Sequence, residues 1–365
     1  MDKDTPIRLL VPTGIYPPDI GGPATYVPLL EEHLPALGFV VDVLPFGRFR
    51  HLPKVASHIS YFFSIFSHAR RTDIVYAQDA LSVGWPSFLA AYLLRRAFVV
   101  KIVGDHVWEQ GRQRFGVTVG LDEFPRWPRH PYLLFLRALQ FLVARNATQV
   151  IVPSNYLKKI VLGWGVTESR VAVVYNGISL PEHTRKTVNM PHPLVVAVGR
   201  LTPWKEFTGI IRATAQGNWH LVLIGEGPSR QEIEALIQEL GLQQRVKLTG
   251  SLPREEMLGF CKEANVFVLN SSYEGLPHTL IEVMMLGVPV VVSDIPGNRE
   301  VAEDSSQAAI VPMHNDKMLT EAIQQTLEFS PEIALRVATA KRRAEKFTVA
   351  ATVAGLSELL KKVCA

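Results

Sequence analysis

Two carboxylates in the spacing E-x7-E, Glu274 and Glu282, lie in the stretch NSSYEGLPHTLIEVMMLGVPVVVSDIPGNRE, residues 270–300. His278 stands one helical turn before Glu282, on the same side of a helix. Upstream, two cations, Arg200 and Lys205, follow Gly199 in VGRLTPWKE. Arginine offers an anion a planar fork of donors, and lysine a compact point charge. Such a pair at a strand's end suits a diphosphate, and a carboxylate nearby suits sugar hydroxyls. Each feature alone has a plainer reading. Glu274 is then a loop carboxylate, Glu282 a solvated helix residue, and Arg200 with Lys205 a solvated turn. Together they describe a pocket for a nucleotide sugar.

The elements around these residues follow from local pattern. Residues 266–269 are an apolar run that reads as a buried parallel strand. Residues 270–276 form a loop that carries Glu274 and Gly275. Pro277 suits a first helical turn, where its missing N–H does no harm. Leu280, Val283, Met284 and Gly287 recur at helical spacing and predict an inward face, with Glu282 off it. Gly287 suits a left-handed cap, Pro289 stops the helix, and residues 290–292 begin the next buried strand. The first amides of that helix, at His278, Thr279 and Leu280, make a ready anion site.

The same rhythm runs along the chain. Candidate strands at 8–12, 39–44, 74–77, 98–103, 149–152 and 171–175 alternate with helical stretches. After a segment rich in Pro, His and Thr at 180–193, strands resume at 194–198, 221–224, 246–249, 266–269 and 290–292. Their apolar, β-branched character fits sheets covered on both faces. With 365 residues, two domains are expected. The pattern predicts two doubly wound α/β domains, with the ligand in the cleft facing the carboxyl ends of both sheets. Residues 332–365 read as helical throughout.

Composition narrows the partners. Hydrophobic residues make up 47% and charged residues 20%, which fits a well-buried globular protein. No apolar run is long enough to span a bilayer. The N-terminus, MDKDTPIRLL, is acidic and enters a strand at once, unlike a signal peptide, so a reducing cytoplasm is the expected setting. Cys261 and Cys364 have no spacing that suggests a metal or a disulfide. The net charge of +4 is uneven. Arg48, Arg50, Lys54, Arg70, Arg71, Arg95, Arg96 and Lys101 face only Asp73 and Asp79 within residues 44–104. Apolar strings at 59–66 and 88–94 lie in the same segment. Two readings stand: an anionic membrane surface for a peripheral protein, or two amphipathic core helices with solvated bases. No recognised motif accompanies the charge, so no nucleic-acid partner is expected.

Three further segments carry candidate residues. Gly21-Gly22 ends the stretch TGIYPPDIGGP, where a strand turns into a helix and backbone can come close to a ligand. It is not G-x-G-x-x-G, which argues against a dehydrogenase. KIVGDHVWE ends a buried strand with the pair Asp105-His106, followed by Trp108. Residues 111–130 are polar, aromatic and basic, and include Arg112. A loop of that length is usually functional, and it is assigned to the acceptor. Residues 132–144 read as a core helix, and Ser154 as the cap of the helix after it.

The run E-G-L-P-x4-E-x4-G-x-P-V-V-x8-E, from Glu274 to Glu300, resembles the donor-site signature of the retaining family-4 glycosyltransferases of GT-B architecture. Gly199-Arg200-Leu201 with Lys205, and the loop Gly225-Glu226-Gly227-Pro228, are similar to further motifs of that family. The resemblance implies a GT-B fold of two Rossmann-like domains. Residues 1–183 would bind the acceptor, 184–346 the nucleotide-sugar donor, and 347–365 would form a helix returning to the first domain. It implies that Arg200 and Lys205 bind the donor diphosphate, with Gly199 beside them. Gly225 and Gly227 would lie near the base, and Gly21 and Gly22 would face the diphosphate from across the cleft. Glu282 would bind ribose hydroxyls and Glu274, with Gly275, the donor sugar.

The best alignment sets Gly104 at a family histidine and makes Asp105 the sugar contact. His106 is either the displaced histidine or a bystander, grouped here with Trp108 and Arg112 as acceptor contacts. The implied reaction is transfer of a sugar, with retention, from a UDP- or GDP-sugar to a lipid-linked or saccharide acceptor. The setting would be cell-surface polysaccharide or glycolipid synthesis. No cofactor or metal is expected. The only D-x-D, Asp2-Lys3-Asp4, lies outside the expected sheet, so neutralisation of the leaving group falls to Arg200, Lys205 and the helix N-terminus at 278–280. Two rivals remain. A sugar-nucleotide epimerase would need no acceptor site. A non-catalytic nucleotide-sugar-binding subunit would be expected to have lost Arg200, Lys205 or Glu274, and all three are present.

Overall fold

A computed structural model describes residues 5–19, 21–184 and 191–364, and the elements named here are those among them. Asp2-Lys3-Asp4 and part of the 180–193 segment lie outside the described residues. The chain divides into two compact units. One runs through Gly177 and resumes at Val349, and the other spans Ile178–Thr348, against expected divisions after 183 and 346.

The first unit contains β1 (Ile7–Thr13), α1 (Gly22–His33), β2 (Phe39–Pro45), α2 (Lys54–Ala69), β3 (Ile74–Ala77), α3 (Gly84–Leu94), β4 (Ala97–Lys101), α4 (His106–Arg114), α5 (Pro131–Asn146), β5 (Gln149–Val152), α6 (Asn155–Gly163) and β6 (Val171–Val173). Its strands are parallel, in the order β2-β1-β3-β4-β5-β6. Strand β3 is buried along its whole length, as continuous apolar runs in parallel sheets are. Ser154 caps α6, its hydroxyl accepting the N–H of Leu157 at 3.2 Å.

The second unit contains β7 (Leu194–Val198), α7 (Phe207–Gln216), β8 (His220–Ile224), α8 (Arg230–Glu239), β9 (Val246–Gly250), α9 (Arg254–Glu263), β10 (Val266–Leu269), α10 (His278–Leu286), β11 (Val290–Ser293), α11 (Pro296–Val301), β12 (Ala309–Val311), α12 (Asp316–Leu327) and α13 (Pro331–Ala344). The parallel order is β12-β11-β10-β7-β8-β9. Edge strand β12 was not expected.

The helical run predicted for 332–365 is broken. α13 ends at Ala344, and α14 (Val349–Cys364) begins after a non-helical turn. There Phe347 is buried, its carbonyl accepts the N–H of Ile178 at 2.9 Å, and Thr348 forms a parallel bridge with Ile178. Burial of Phe347 and this pairing outweigh local helix preference. α14 belongs to the first unit, where Val353, Leu356 and Leu360 join Val11, Val27, Leu30 and Tyr76 in one core.

Each strand order reverses once. The chain winds outward from β7 through β8 to β9, then returns to place β10 on the other side of β7. At such a switch point the loops leaving the two central strands diverge and open a crevice at their carboxyl ends. In the second unit those loops carry Arg200 and Lys205 after β7, and Glu274 after β10.

Candidate active site

Backbone hydrogen bonds tie the loops after β7 and β8 together. Leu201 donates to the carbonyl of Glu226, and Ser229 to the carbonyl of Leu201, both at 2.9 Å. This approach requires glycine. A Cβ on Gly225 would lie 2.0 Å from the carbonyl oxygen of Gly199, and one on Gly227 would lie 2.3 Å from that of Leu201. The G-x-G-P glycines therefore shape the floor beneath Arg200 and Lys205. The stem of Lys205 lies across Gly199, where a Cβ would be 3.3 Å from Cε.

Lys205 and Glu274 meet across the switch point. Lys205 Nζ donates to Glu274 Oε1 at 2.5 Å, and Ser271 Oγ donates to the same oxygen at 2.6 Å. Both side chains of the ion pair are largely but not wholly covered. Gly297, at the start of α11, lets the Glu274 backbone pass close by, since a Cβ there would lie 2.0 Å from the Glu274 carbonyl oxygen. Neither Ser271 nor Gly297 was singled out from sequence. Ser271, three residues before Glu274, was within reach of such a reading. Arg200 is exposed, and its side chain makes no hydrogen bond or ion pair among the described residues, while its carbonyl accepts the N–H of Thr202 at 2.7 Å. Gly275 follows Glu274 in the same half-buried loop.

Helix α10 begins at His278, with Pro277 as the residue before it (φ −77°, ψ 93°) rather than inside the first turn. No side chain caps this N-terminus. His278 and Thr279 are half-buried, while Leu280, Val283 and Met284 point inward as expected. Gly287 closes the helix in the left-handed region at φ 75°, a conformation that favours glycine. Glu282 departs from expectation. It is only 5% exposed, and its Oε1 accepts from Arg254 Nε at 2.8 Å and Nη2 at 2.6 Å. Burial raises its pKa above the ordinary carboxyl value, and the guanidinium of Arg254 pulls it back. Arg254 lies 28 residues away on another helix, so no local pattern announced it.

In the first unit, Gly21 precedes α1 with φ 150°, and Gly22 is its first residue. Their loop is held by Arg50, which grips Asp19 with bonds of 2.8 and 2.9 Å and reaches the Gly14 carbonyl at 3.2 Å. Asp105 does not fit the expected sugar contact. It is 1% exposed and caps α4, Oδ1 accepting the N–H groups of Val107 and Trp108 at 3.0 Å. Oδ2 accepts Arg137 Nη1 at 2.6 Å, within a buried ion pair. Trp108 is likewise committed, its ring buried and Nε1 donating to the Val119 carbonyl at 3.0 Å. Arg112 ties down the same loop through the Thr118 carbonyl at 2.6 Å. That leaves His106, exposed at the start of α4, as the group of this cluster that meets solvent. The protein packed around it lowers its pKa, against the opposing pull of Asp79 and Asp105.

Lys101 is also reassigned. It does not join a basic surface but is buried, donating to Asn176 Oδ1 at 2.6 Å over the ring of Tyr26. Burial holds its pKa well below the ordinary value.

The Asp105 assignment has a direct check. Asp105→Ala strands Arg137 as a buried, unpaired cation and removes the cap of α4. The expected loss is about 3–5 kcal/mol of unfolding free energy, read by denaturant titration. A variant that keeps its stability but loses activity would restore Asp105 as a substrate contact.

Among the described residues, no three His, Cys, Asp or Glu side chains gather as metal ligands. The site is a cation–carboxylate pair at the switch point of one parallel sheet, in a chain with a second parallel sheet of the same size. That is the architecture of two-domain GT-B proteins with Rossmann-like units. Sucrose-phosphate synthase from Thermosynechococcus elongatus is similar in fold, with a TM-score of 0.80, 20% identity, and coverage of 98% of this chain and 99% of that one. Anabaena HepE in complex with UDP-glucose superposes with a TM-score of 0.75 at 18% identity, covering 98% of this chain and all of the other. Residues 181–344 match the family described as Glycosyl transferases group 1, and residues 20–181 match Glycosyltransferase Family 4. The chain belongs to this family of GT-B glycosyltransferases. Among curated relatives, the lipopolysaccharide core biosynthesis glycosyltransferase LpsD of Rhizobium meliloti is 33% identical over 178 residues, 48% of this chain and 51% of that protein. The chain spans about half the length of the curated relatives it matches.

Proposed function

We propose that the protein is a retaining glycosyltransferase. It moves a sugar from a UDP- or GDP-sugar to a lipid-linked or saccharide acceptor in cell-surface polysaccharide or glycolipid synthesis. The observation that carries this is the Lys205–Glu274 pair at the switch point, with Arg200 unpaired beside it. As the bond to the sugar breaks, the diphosphate gains negative charge and the sugar ring gains positive charge. Arg200, Lys205 and the N-terminus of α10 stabilise the first, and Glu274 the second. Glu282 holds the ribose. Neutralisation by these cations makes a metal unnecessary. The lipopolysaccharide relative and the UDP-glucose bound to HepE support the class of reaction and of donor.

A membrane surface is the proposed place of work. α2 is amphipathic, with Tyr61, Ile65 and Ala69 buried and Val55, Ile59 and Phe63 exposed at four-residue spacing. Tyr92 and Leu93 at the end of α3 are exposed as well. Basic residues gather where both helices end. Arg96 donates to the Arg70 carbonyl at 2.8 Å, Arg70 lies over the ring of Phe66, and Arg71 and Arg95 are exposed. An apolar stripe with a cationic end suits anionic lipid headgroups. No helix among the described residues is long and apolar enough to cross a membrane.

One assay with two readouts tests the reading. Nucleotide release is measured from UDP-, GDP- and ADP-sugars, with and without membrane extract, and protein recovery is measured on floating vesicles. Release from one donor only, dependent on extract and indifferent to EDTA, is expected. Recovery should be higher on anionic than on neutral vesicles, lower for Phe63→Glu, and reduced by salt, which screens exposed charge beyond ~8 Å. Turnover of the donor without any acceptor would favour the epimerase, and equal recovery on both vesicles would remove the membrane.

A further inference from the structure

Glu282 is buried, yet its carboxylate has a cation of its own. Arg254, the first residue of α9, sends both Nε and Nη2 to Oε1 of Glu282. The same Nη2 donates to the carbonyl of Ser179 at 2.5 Å. These three bonds fix the guanidinium between α10 and the segment that opens the second unit. Among the described residues, Oε2 of Glu282 accepts no hydrogen bond, so one oxygen is occupied and the other is left for a ligand.

We propose that Arg254 is a positioning residue for the donor: it occupies Oε1 of Glu282 so that Oε2 stays ionised and oriented for the ribose hydroxyls. The proposal rests on the assignment of Glu282 to the ribose. A vicinal diol donates two O–H bonds. A carboxylate can accept both, whereas a protonated carboxyl carries a donor of its own and accepts less well. Burial favours the protonated form, and Arg254 is the group that opposes it.

Neighbouring elements supply no substitute cation. On α9, the buried thiol of Cys261 is pushed up by burial and by Glu282 itself, and stays neutral. On α13, Arg343 is engaged with Glu303 and with the carbonyls of Glu300 and Val301. On α11, Arg299 pairs with Asp294. On α10, the imidazole of His278 lies one turn before Glu282.

The sign of the expected pH effect follows. Without the guanidinium, burial alone acts on Glu282 and its folded pKa rises further. The carboxyl is then protonated below that pKa, and ribose recognition, weak at low pH, recovers as pH rises through it.

The test is calorimetric affinity for UDP, or for GDP if wild type binds that instead, against the matching 2′-deoxy nucleotide at pH 6 and pH 8.5. Wild type should prefer the ribose form by roughly ten-fold at both pH values, the worth of a hydrogen bond to a charged group. In Arg254→Met the preference should shrink to within about three-fold at pH 6 and return at pH 8.5. Arg254→Lys keeps a cation and should show a smaller change in the same direction. It carries the test if the methionine variant does not fold. A preference independent of pH in the folded Arg254 variants would overturn the proposal. Glu282→Gln separates the two layers, since it should lose the preference at both pH values. If it keeps the preference, or if wild type binds neither nucleotide, the donor assignment fails instead.

Discussion

Lys205→Ala and Arg200→Ala each lower turnover by ~100-fold or more, the magnitude for losing one preorganised charge-stabilising group. The two variants should differ in everything else. Arg200 is exposed and unpaired, so its loss leaves the melting temperature where it was. Lys205 holds Glu274 at 2.5 Å, so its loss also frees a half-buried carboxylate that then keeps only Ser271. A lower melting temperature for Lys205→Ala, beside an unchanged one for Arg200→Ala, identifies the ion pair. Steady-state transfer and thermal unfolding on the same preparations supply both readings. Turnover within a few-fold of wild type for both folded variants removes the diphosphate assignment.

Glu274→Gln is the second large effect. The amide has the shape of the carboxylate, and its oxygen can still accept from Lys205 and Ser271, so the loop keeps its form. The negative charge is gone, and that charge matters most when the sugar becomes positive during transfer. The kcat should fall by about 100- to 1000-fold. Affinity for the free nucleoside diphosphate should stay almost intact, because that ligand lacks the transferred sugar that Glu274 faces. Calorimetry on the diphosphate beside transfer kinetics makes the comparison. A variant that loses the nucleotide while transferring normally would show that the roles of Glu274 and Glu282 are exchanged.

The features legible in the sequence were those written in neighbouring residues. Val266 to Leu269 could hardly be anything but a buried strand, and Gly287 before Pro289 announced the end of α10. Lys205 and Glu274 were placed on the correct loops because each follows its own apolar strand. What failed depended on partners distant in the chain. Asp105 has the type and position of a site residue, and its ion pair with Arg137, 32 residues on, is what local sequence could not announce. Glu282 was expected off the inward face because helical spacing puts it there, and Arg254 is what allows a carboxylate to be covered at that position. The terminal helix was drawn without a break because residues 344–348 contain no proline or glycine, and the break comes from burial of Phe347 and pairing of Thr348 with Ile178. β12 spans only Ala309–Val311 at a sheet edge, too short to show a period.

The place of α14 has a consequence for the order in which the protein can fold. Domains generally fold as units, the N-terminal one first as it leaves the ribosome. Here the first 177 residues emerge without the helix that fills their core, because Val353, Leu356 and Leu360 are made after the whole of the second unit. Until then the apolar residues of α1 that meet α14, Val27 and Leu30 among them, have no permanent cover. The nascent first unit must therefore wait, partly assembled, while the second is translated and can close on itself. The core of the first unit is completed only after the whole of the second has been made.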